Sequence, residues 1–136
     1  MAFVEECYRG RSVRVFRFDR ERSVRELRQR ARQLIAAYPE AIEIRLFGSL
    51  ARGTPTPGSD ADIFVLLEDS AAPFLQRSAQ LSTCFEGAGL ACDVMAYTRS
   101  EWEALRKEGR RIVTAVLQDG LVLARRGSAP DEGSAP

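Results

Sequence analysis

Two aspartates and a glycine-serine pair have the types and spacing needed for phosphate chemistry. Gly48-Ser49 is followed, after ten residues, by Asp60-Ala61-Asp62. Asp60 and Asp62 open a run that is typical of a strand, so both carboxylates should point to the same face. Adjacent carboxylates repel each other and are costly to bury unless a cation neutralises them. Mg²⁺ binds one or two carboxylates together with phosphate oxygens and water, so the pair predicts a magnesium site.

Gly48-Ser49 follows a predicted strand that ends at Phe47. Glycine allows the backbone to approach a ligand closely. If a short helix begins at Ser49, its first N–H groups and the positive end of its dipole face a bound anion. We therefore predict that this bend and the serine hydroxyl bind phosphate.

Asp93 lies between Cys92 and Val94 in another apolar run, where a charged side chain needs a reason. On a strand adjacent to Asp60 and Asp62 it would supply a third carboxylate. Two metal ions held by such a set can stabilise both the attacking and the leaving oxygen of a displacement at phosphorus.

Each feature alone also has an ordinary structural interpretation. An isolated D-x-D is usually a turn or a cap, and Gly-Ser before a helix is a common helix start. Asp93 could be a surface residue at the end of a strand. In combination the features favour a site, because the pair follows one predicted strand and the aspartates open the next.

Composition excludes several other chemistries. The 136 residues include no histidine, which removes Ser-His and Cys-His catalysis and histidine-based metal sites. The three cysteines, an odd number, have no C-x2-C spacing and predict neither a disulfide framework nor zinc. No apolar run approaches the ~20 residues that span a bilayer, and the N-terminus has no signal pattern. We therefore expect a cytoplasmic protein.

Charge is balanced overall but not along the chain. Residues 1–32 contain ten arginines and five acidic residues, a net of +5, which leaves −4 for the remainder because the whole chain carries +1. Such a segment suits phosphates, RNA or an acidic partner. The ordinary interpretation, a solvated strand and helix face, is the one we favour.

The alternation of predicted helices and strands indicates one mixed α/β domain over residues 1–126. The N-terminal strand, at 12–18, is expected at a sheet edge, and the strand at 60–67 is expected to be central. Capping boxes at Ser23/Glu26 and Ser100/Glu103 predict two helix starts. The tail 127–136, with its repeated GSAP, is expected to be disordered. Further strands are predicted at 41–47, 90–97 and 121–124, and further helices at 73–86 and 111–118.

The segment GSLARGTPTPGSDADIFVLL, residues 48–67, resembles the signature of the minimal nucleotidyltransferases, a group in the DNA polymerase beta-like nucleotidyltransferase superfamily. The resemblance covers a core at residues 23–124 and implies the nucleotidyltransferase fold, a small mixed sheet flanked by helices. It also implies two Mg²⁺ ions bound by Asp60, Asp62 and Asp93, with catalysis by these three residues. The positions implied to bind the nucleotide, ATP or another nucleoside triphosphate, are Gly48, Ser49, Arg52 and Ser59, although Arg52 could instead brace the loop.

The same resemblance implies transfer of a nucleotide, AMP from ATP, to a hydroxyl acceptor with release of pyrophosphate. Minimal nucleotidyltransferases are often paired with a helical HEPN protein and act as antitoxins, so we expect a HEPN-type partner that supplies the hydroxyl. We expect the residues after the predicted strand at 90–97 to be too few for a separate acceptor domain. Two alternatives remain open. One is a non-catalytic nucleotide-binding antitoxin, and the other is an enzyme that acts on a small molecule or on RNA and borrows its acceptor site from a homodimer.

Overall fold

A four-stranded mixed sheet forms the centre of the computed structural model, which describes residues 20–53 and 60–127 together with the backbone of two N-terminal strands. The strand order is β5-β4-β3-β6. The β3 strand pairs antiparallel with β4 and β6, whereas β4 and β5 are parallel. The four strands are β3 (Ala41–Phe47), β4 (Ala61–Leu67), β5 (Cys92–Thr98) and β6 (Leu121–Arg125).

The described residues form five α-helices. The longest, α1 (Arg20–Ala37), precedes β3, and the four-residue α2 (Ser49–Arg52) joins β3 to the segment before β4. The parallel crossover from β4 to β5 contains α3 (Phe74–Ser82) and a 3-10 turn at Thr83–Phe85. Between β5 and β6 lie α4 (Arg99–Glu108) and α5 (Arg111–Asp119). The predicted mixed α/β fold is confirmed.

Two hydrophobic clusters cover the two faces of the sheet. On the larger one, α1 and the segment after α3 pack against alternate residues of β4, including Ala61, Ile63 and Val65. On the opposite face, Phe64 packs with residues of β3, α4 and α5; we call this the α4–α5 face. Because β4 is buried on both sides, it reads as an almost continuous apolar run, which confirms its predicted central position. The buried residues of this second cluster are Phe47, Phe64, Trp102, Val113 and Val116.

Both predicted capping boxes are wrong. The first helix begins at Arg20, so Ser23 lies inside it and is fully buried. The helix α4 is capped by Thr98, whose side chain accepts a hydrogen bond from the Glu101 N–H, while the Glu101 carboxylate accepts one from the Thr98 N–H. The same S/T-x-x-E spacing therefore occurs at Thr98, two residues before the predicted start, at the point where β5 ends.

The arginine-rich strand β2 (Val13–Phe18) pairs antiparallel with β1 (Val4–Arg9) in a two-stranded sheet of its own. It was predicted at a sheet edge, and the strand β1 was not predicted. Residues 54–59, whose sequence TPTPGS predicts a turn-rich loop, lie outside the described residues, as do residues 128–136 of the predicted tail. Within the described part of the chain, no helix is long and apolar enough to cross a membrane.

Candidate active site

The site begins at the bend that follows β3. Gly48, the residue after the strand, has φ +81° and ψ −161°, a conformation that is accessible almost only to glycine. Ser49 is then the first residue of α2. Leu50, fully buried in the main core, anchors the short helix to the sheet. The first N–H groups of a helix have no partner within the helix, so this turn offers donors to a ligand.

The second residue of β4, Asp62, faces this bend. It pairs across the sheet with Phe47, the residue before Gly48. A methyl group built on Gly48 would overlap the Asp62 Oδ2 and lie 3.2 Å from its Cγ. The carboxylate therefore occupies the space beside the backbone that only a glycine leaves open.

Asp93 is brought to Asp62 by strand register. In the parallel β4–β5 ladder the two residues are direct Cα partners, and partners in adjacent strands place their side chains on the same face. Alternation assigns both to the α4–α5 face, since Phe64 and Met95 follow two residues later. Asp62 is half-buried and Asp93 is exposed.

Asp60 lies one residue before β4 and is exposed. The N–H of Ala61 donates to the Ala91 carbonyl at 2.8 Å, which fixes the chain at this point. The predicted placement of Asp60 within the strand is therefore off by one residue. The negative charge of Asp60 still acts on the Asp62 carboxylate.

The pKa of Asp62 is raised from its usual value. Burial is the largest cause, followed by the negative charges of Asp93 and Asp60, and Arg52 partly opposes them. All three predicted acidic residues thus interact electrostatically at one end of the β4–β5 pair. A cation bound beside Asp62 would relieve both the burial cost and the mutual repulsion.

The described residues contain no group of three or more His, Cys, Asp or Glu side chains arranged to hold a metal ion by themselves. The neighbouring Cys92 packs against the larger hydrophobic cluster, on the other face of the sheet, and burial raises the pKa of its thiol to about 11, which disfavours the thiolate. The three-aspartate metal set therefore stays a prediction.

Arg52, predicted to bind nucleotide, ends α2. Its Nη1 lies 3.2 Å from the Asp119 Oδ2 at the end of α5, and about half of the Arg52 side chain is exposed. This pair connects the end of α2 to the end of α5, as expected if Arg52 braces the loop. Ser49 is half-buried at the first position of α2, and Ser59 lies in the segment that the structure does not describe.

The sequence did not predict one residue that contacts this turn. Arg20, the first residue of α1, donates from Nε to the Leu50 carbonyl at 2.8 Å and from Nη2 to the Ala51 carbonyl at 3.1 Å. It thereby satisfies carbonyl groups of α2 and ties the start of α1 to the turn that follows Gly48. The only sequence signal was the abundance of arginine in residues 1–32, which does not single out one residue.

Comparison with known proteins adds independent information. The profile of the nucleotidyltransferase domain family matches residues 24–117, and no curated protein matches in sequence. A candidate nucleotidyltransferase from Sulfolobus solfataricus has a similar structure, with a TM-score of 0.59 and 19% identity over 81% of this chain and 86% of that one. A toxin-antitoxin with AMP-PNP gives a TM-score of 0.47 at 22% identity, over 79% and 80% of the two chains. These structural similarities concern the fold.

Proposed function

The chain belongs to the nucleotidyltransferase domain family, and from this premise we propose that it transfers AMP from ATP to a hydroxyl group of a partner protein in a Mg²⁺-dependent reaction. The partner in this proposal is a HEPN-type toxin, and the chain is its antitoxin. The contact between Asp62 and Gly48 carries the proposal, because the Asp62 carboxylate lies directly beside the turn that we propose to bind phosphate.

The donor set fits magnesium. Asp62 has a carboxylate whose pKa is raised by burial and by two further aspartates, and Gly48 leaves the adjoining backbone uncovered. Mg²⁺ needs only one or two protein carboxylates when phosphate oxygens and water complete its coordination. Asp62 with Asp60 and Asp93 would therefore hold the ions together with the triphosphate. Bound there, the metal would neutralise phosphate charge and polarise the α-phosphorus.

The residues of the chain position the reactants. The N–H groups that open α2, with the Ser49 hydroxyl, would hold the β- and γ-phosphates, while Arg20 keeps that turn in place through its two carbonyl contacts. The acceptor oxygen forms a bond to the α-phosphorus as the bond to the bridging α–β oxygen breaks, and pyrophosphate leaves. In this proposal Asp93, which is exposed and pairs with Asp62 across the β4–β5 ladder, accepts the proton of the acceptor hydroxyl.

The described residues leave room for an external acceptor. After β5 they contain two short helices and one strand, and both helices contribute to the buried cluster on the sheet. No separate acceptor-binding unit is therefore present within this described part. A partner protein that brings its own hydroxyl to the end of the β4–β5 pair where the three aspartates lie fits this architecture.

Labelled ATP, Mg²⁺ and the protein encoded by the adjacent gene test the proposal. We expect label to appear on the partner with the wild-type chain and to be lost with Asp62→Asn and with Asp60→Asn. No transfer with any of the four nucleotides would contradict it. If both variants still neutralise the toxin, binding alone is sufficient, and label on RNA or on a small hydroxyl compound would identify a different acceptor.

A further inference from the structure

The turn at Gly48 has an acidic residue on each side of it. The strand β3 lies between β4 and β6 and is antiparallel to both, so its end adjoins the starts of both neighbours. Asp62 lies on the β4 side. On the β6 side Leu46 pairs with Leu121, and Asp119, the last residue of α5, comes two residues before Leu121. Asp119 is therefore a fourth acidic residue at this end of the sheet.

Arg52 connects the turn to this fourth carboxylate. Its Nη1 lies 3.2 Å from the Asp119 Oδ2. Among the residues that the structure describes, Asp119 is the only side-chain hydrogen-bond partner of Arg52. The positive charge of Arg52 also opposes the rise in the pKa of Asp62. One guanidinium group therefore interacts with the acidic residues on both sides of the turn.

The two members of this ion pair differ in their freedom to move. Asp119 is followed by Gly120, where an added methyl group would overlap the Val116 carbonyl oxygen and lie 3.1 Å from the Arg45 Cδ. The backbone beside Asp119 is therefore closely packed. The Arg52 side chain is 49% exposed, against 27% for Asp119, and it is long and has several rotatable bonds. Arg52 is thus the member that can change partner.

A phosphate group at the turn would compete with Asp119 for this guanidinium. Exposed ion pairs contribute little to stability, because water and side-chain entropy oppose them. Guanidinium and phosphate groups form charge-assisted hydrogen bonds, often two at a time. A di- or triphosphate also carries more negative charge than one carboxylate. Exchange of Asp119 for phosphate is therefore favourable, and the carboxylate it releases is already partly exposed to water.

We propose that Asp119 is an internal competitor of phosphate: it pairs with Arg52 in the free protein, is displaced by the β- and γ-phosphates of the nucleotide, and pairs again as pyrophosphate leaves. The identity of the ligand as a nucleoside triphosphate rests on the proposed function. Under this exchange Arg52 braces the loop in the free protein and binds phosphate in the complex. Asp119 weakens the binding of pyrophosphate and so favours release of this product, a step that limits many enzymes.

A double-mutant cycle measured by calorimetry in the presence of Mg²⁺ tests the exchange. Asp119→Asn should tighten the binding of a non-hydrolysable ATP analogue and of pyrophosphate by about two- to fivefold. Arg52→Ala should weaken both by about tenfold, and in that background Asp119→Asn should have no effect. The affinity for AMP, which lacks the β- and γ-phosphates, should be the same in all four proteins. Glu103→Gln removes a carboxylate from an exposed ion pair on α4 and should change none of these affinities.

The outcomes separate this inference from the proposed function, because the measurements use neither a partner protein nor transfer. Binding that tightens equally with and without Arg52 would overturn the exchange, since Asp119 would then act only as a distant negative charge. Unchanged or weaker binding in Asp119→Asn would overturn it too, and would make the pair a brace alone. Circular dichroism checks that each variant folds. If the cycle gives the expected coupling but the wild type transfers no label, the exchange stands and the proposed function fails.

Discussion

The Asp62 carboxylate occupies the space in which a side chain on Gly48 would have to lie. Gly48 is therefore constrained twice, by its positive φ and by the adjacent carboxylate. A strand residue and a loop residue thus define one small volume, in which a phosphate, a metal ion and the carboxylate would meet.

Gly48→Ala should displace Asp62 and strain the bend. We expect nucleotide transfer to be lost and the free energy of unfolding to fall by about 1–3 kcal/mol, measured by chemical denaturation. Gly109→Ala is the matched control, because Gly109 has φ +67° but nothing within 4 Å of an added methyl group. It should cost only the backbone strain and leave transfer intact. Equal effects of the two variants on transfer would contradict the role of the contact.

Asp62→Asn should abolish transfer yet raise the melting temperature of the ligand-free protein at neutral pH. The pKa of Asp62 is raised in the folded state, so its ionised form opposes folding. The stabilisation from a protonated Asp62 is complete below the unfolded pKa and is lost as pH rises through the folded pKa. The difference between variant and wild type should therefore vanish in strongly acidic buffer. Thermal melts across pH check this, and a less stable variant at neutral pH would refute it.

Arg20→Lys should reduce transfer while preserving the positive charge at the start of α1. A lysine cannot reproduce the two guanidinium hydrogen bonds to the Leu50 and Ala51 carbonyls. We expect the free energy of unfolding to fall by about 1 kcal/mol and kcat to decrease. Arg25→Lys is the matched control, because Arg25 is an exposed residue of the same helix. It should leave kcat unchanged, and equal losses of kcat in the two variants would contradict the role of the Arg20 contacts.

The pair of Arg52 and Asp119 distinguishes a phosphate contact from a brace. The pair is partly exposed, so breaking it should cost at most about 1 kcal/mol of stability. If Arg52 binds phosphate as predicted, Arg52→Ala should raise KM for ATP by about tenfold, whereas Asp119→Ala should not raise it. Equal KM values for the two variants would assign Arg52 to bracing alone.

Glu101→Gln should destabilise the protein at neutral pH but not in acid. Hydrogen bonds from Arg77 are the main cause that lowers the pKa of Glu101, and Thr98 adds to it. The stabilisation from ionised Glu101 is present above its unfolded pKa and is lost as pH falls through the lower folded pKa. Glu103→Gln, on the same helix but in an exposed pair with Arg106, should show little change at any pH. Chemical denaturation at several pH values measures both.

Strand order along the chain and the position of β4 were predictable, because buried strands give continuous apolar runs. The candidate site was also predictable in outline, since Gly48 follows β3, Asp62 lies at the start of β4, and the two strands pair antiparallel. The starts of α1 and α4 were not predictable, because S/T-x-x-E occurs both at caps and within helices. At α4 two such patterns compete, and the end of β5 at Thr98 decides between them.

Arg20 could not be predicted for a different reason. Its function depends on the approach of α1 to α2, thirty residues later in the chain, and charge composition carries no information on such a contact. The pairing of β2 with β1 likewise depends on a long-range choice between a separate hairpin and the main sheet.

In the proposed function, the direct pairing of Asp62 with Asp93 makes catalytic activity depend on complete folding. A slip of β5 by a single position would turn Asp93 to the other side of the sheet and bring Cys92 or Val94 opposite Asp62. A molecule with misaligned strands would then be inert rather than partly active, so wrongly folded copies would not modify their targets at random.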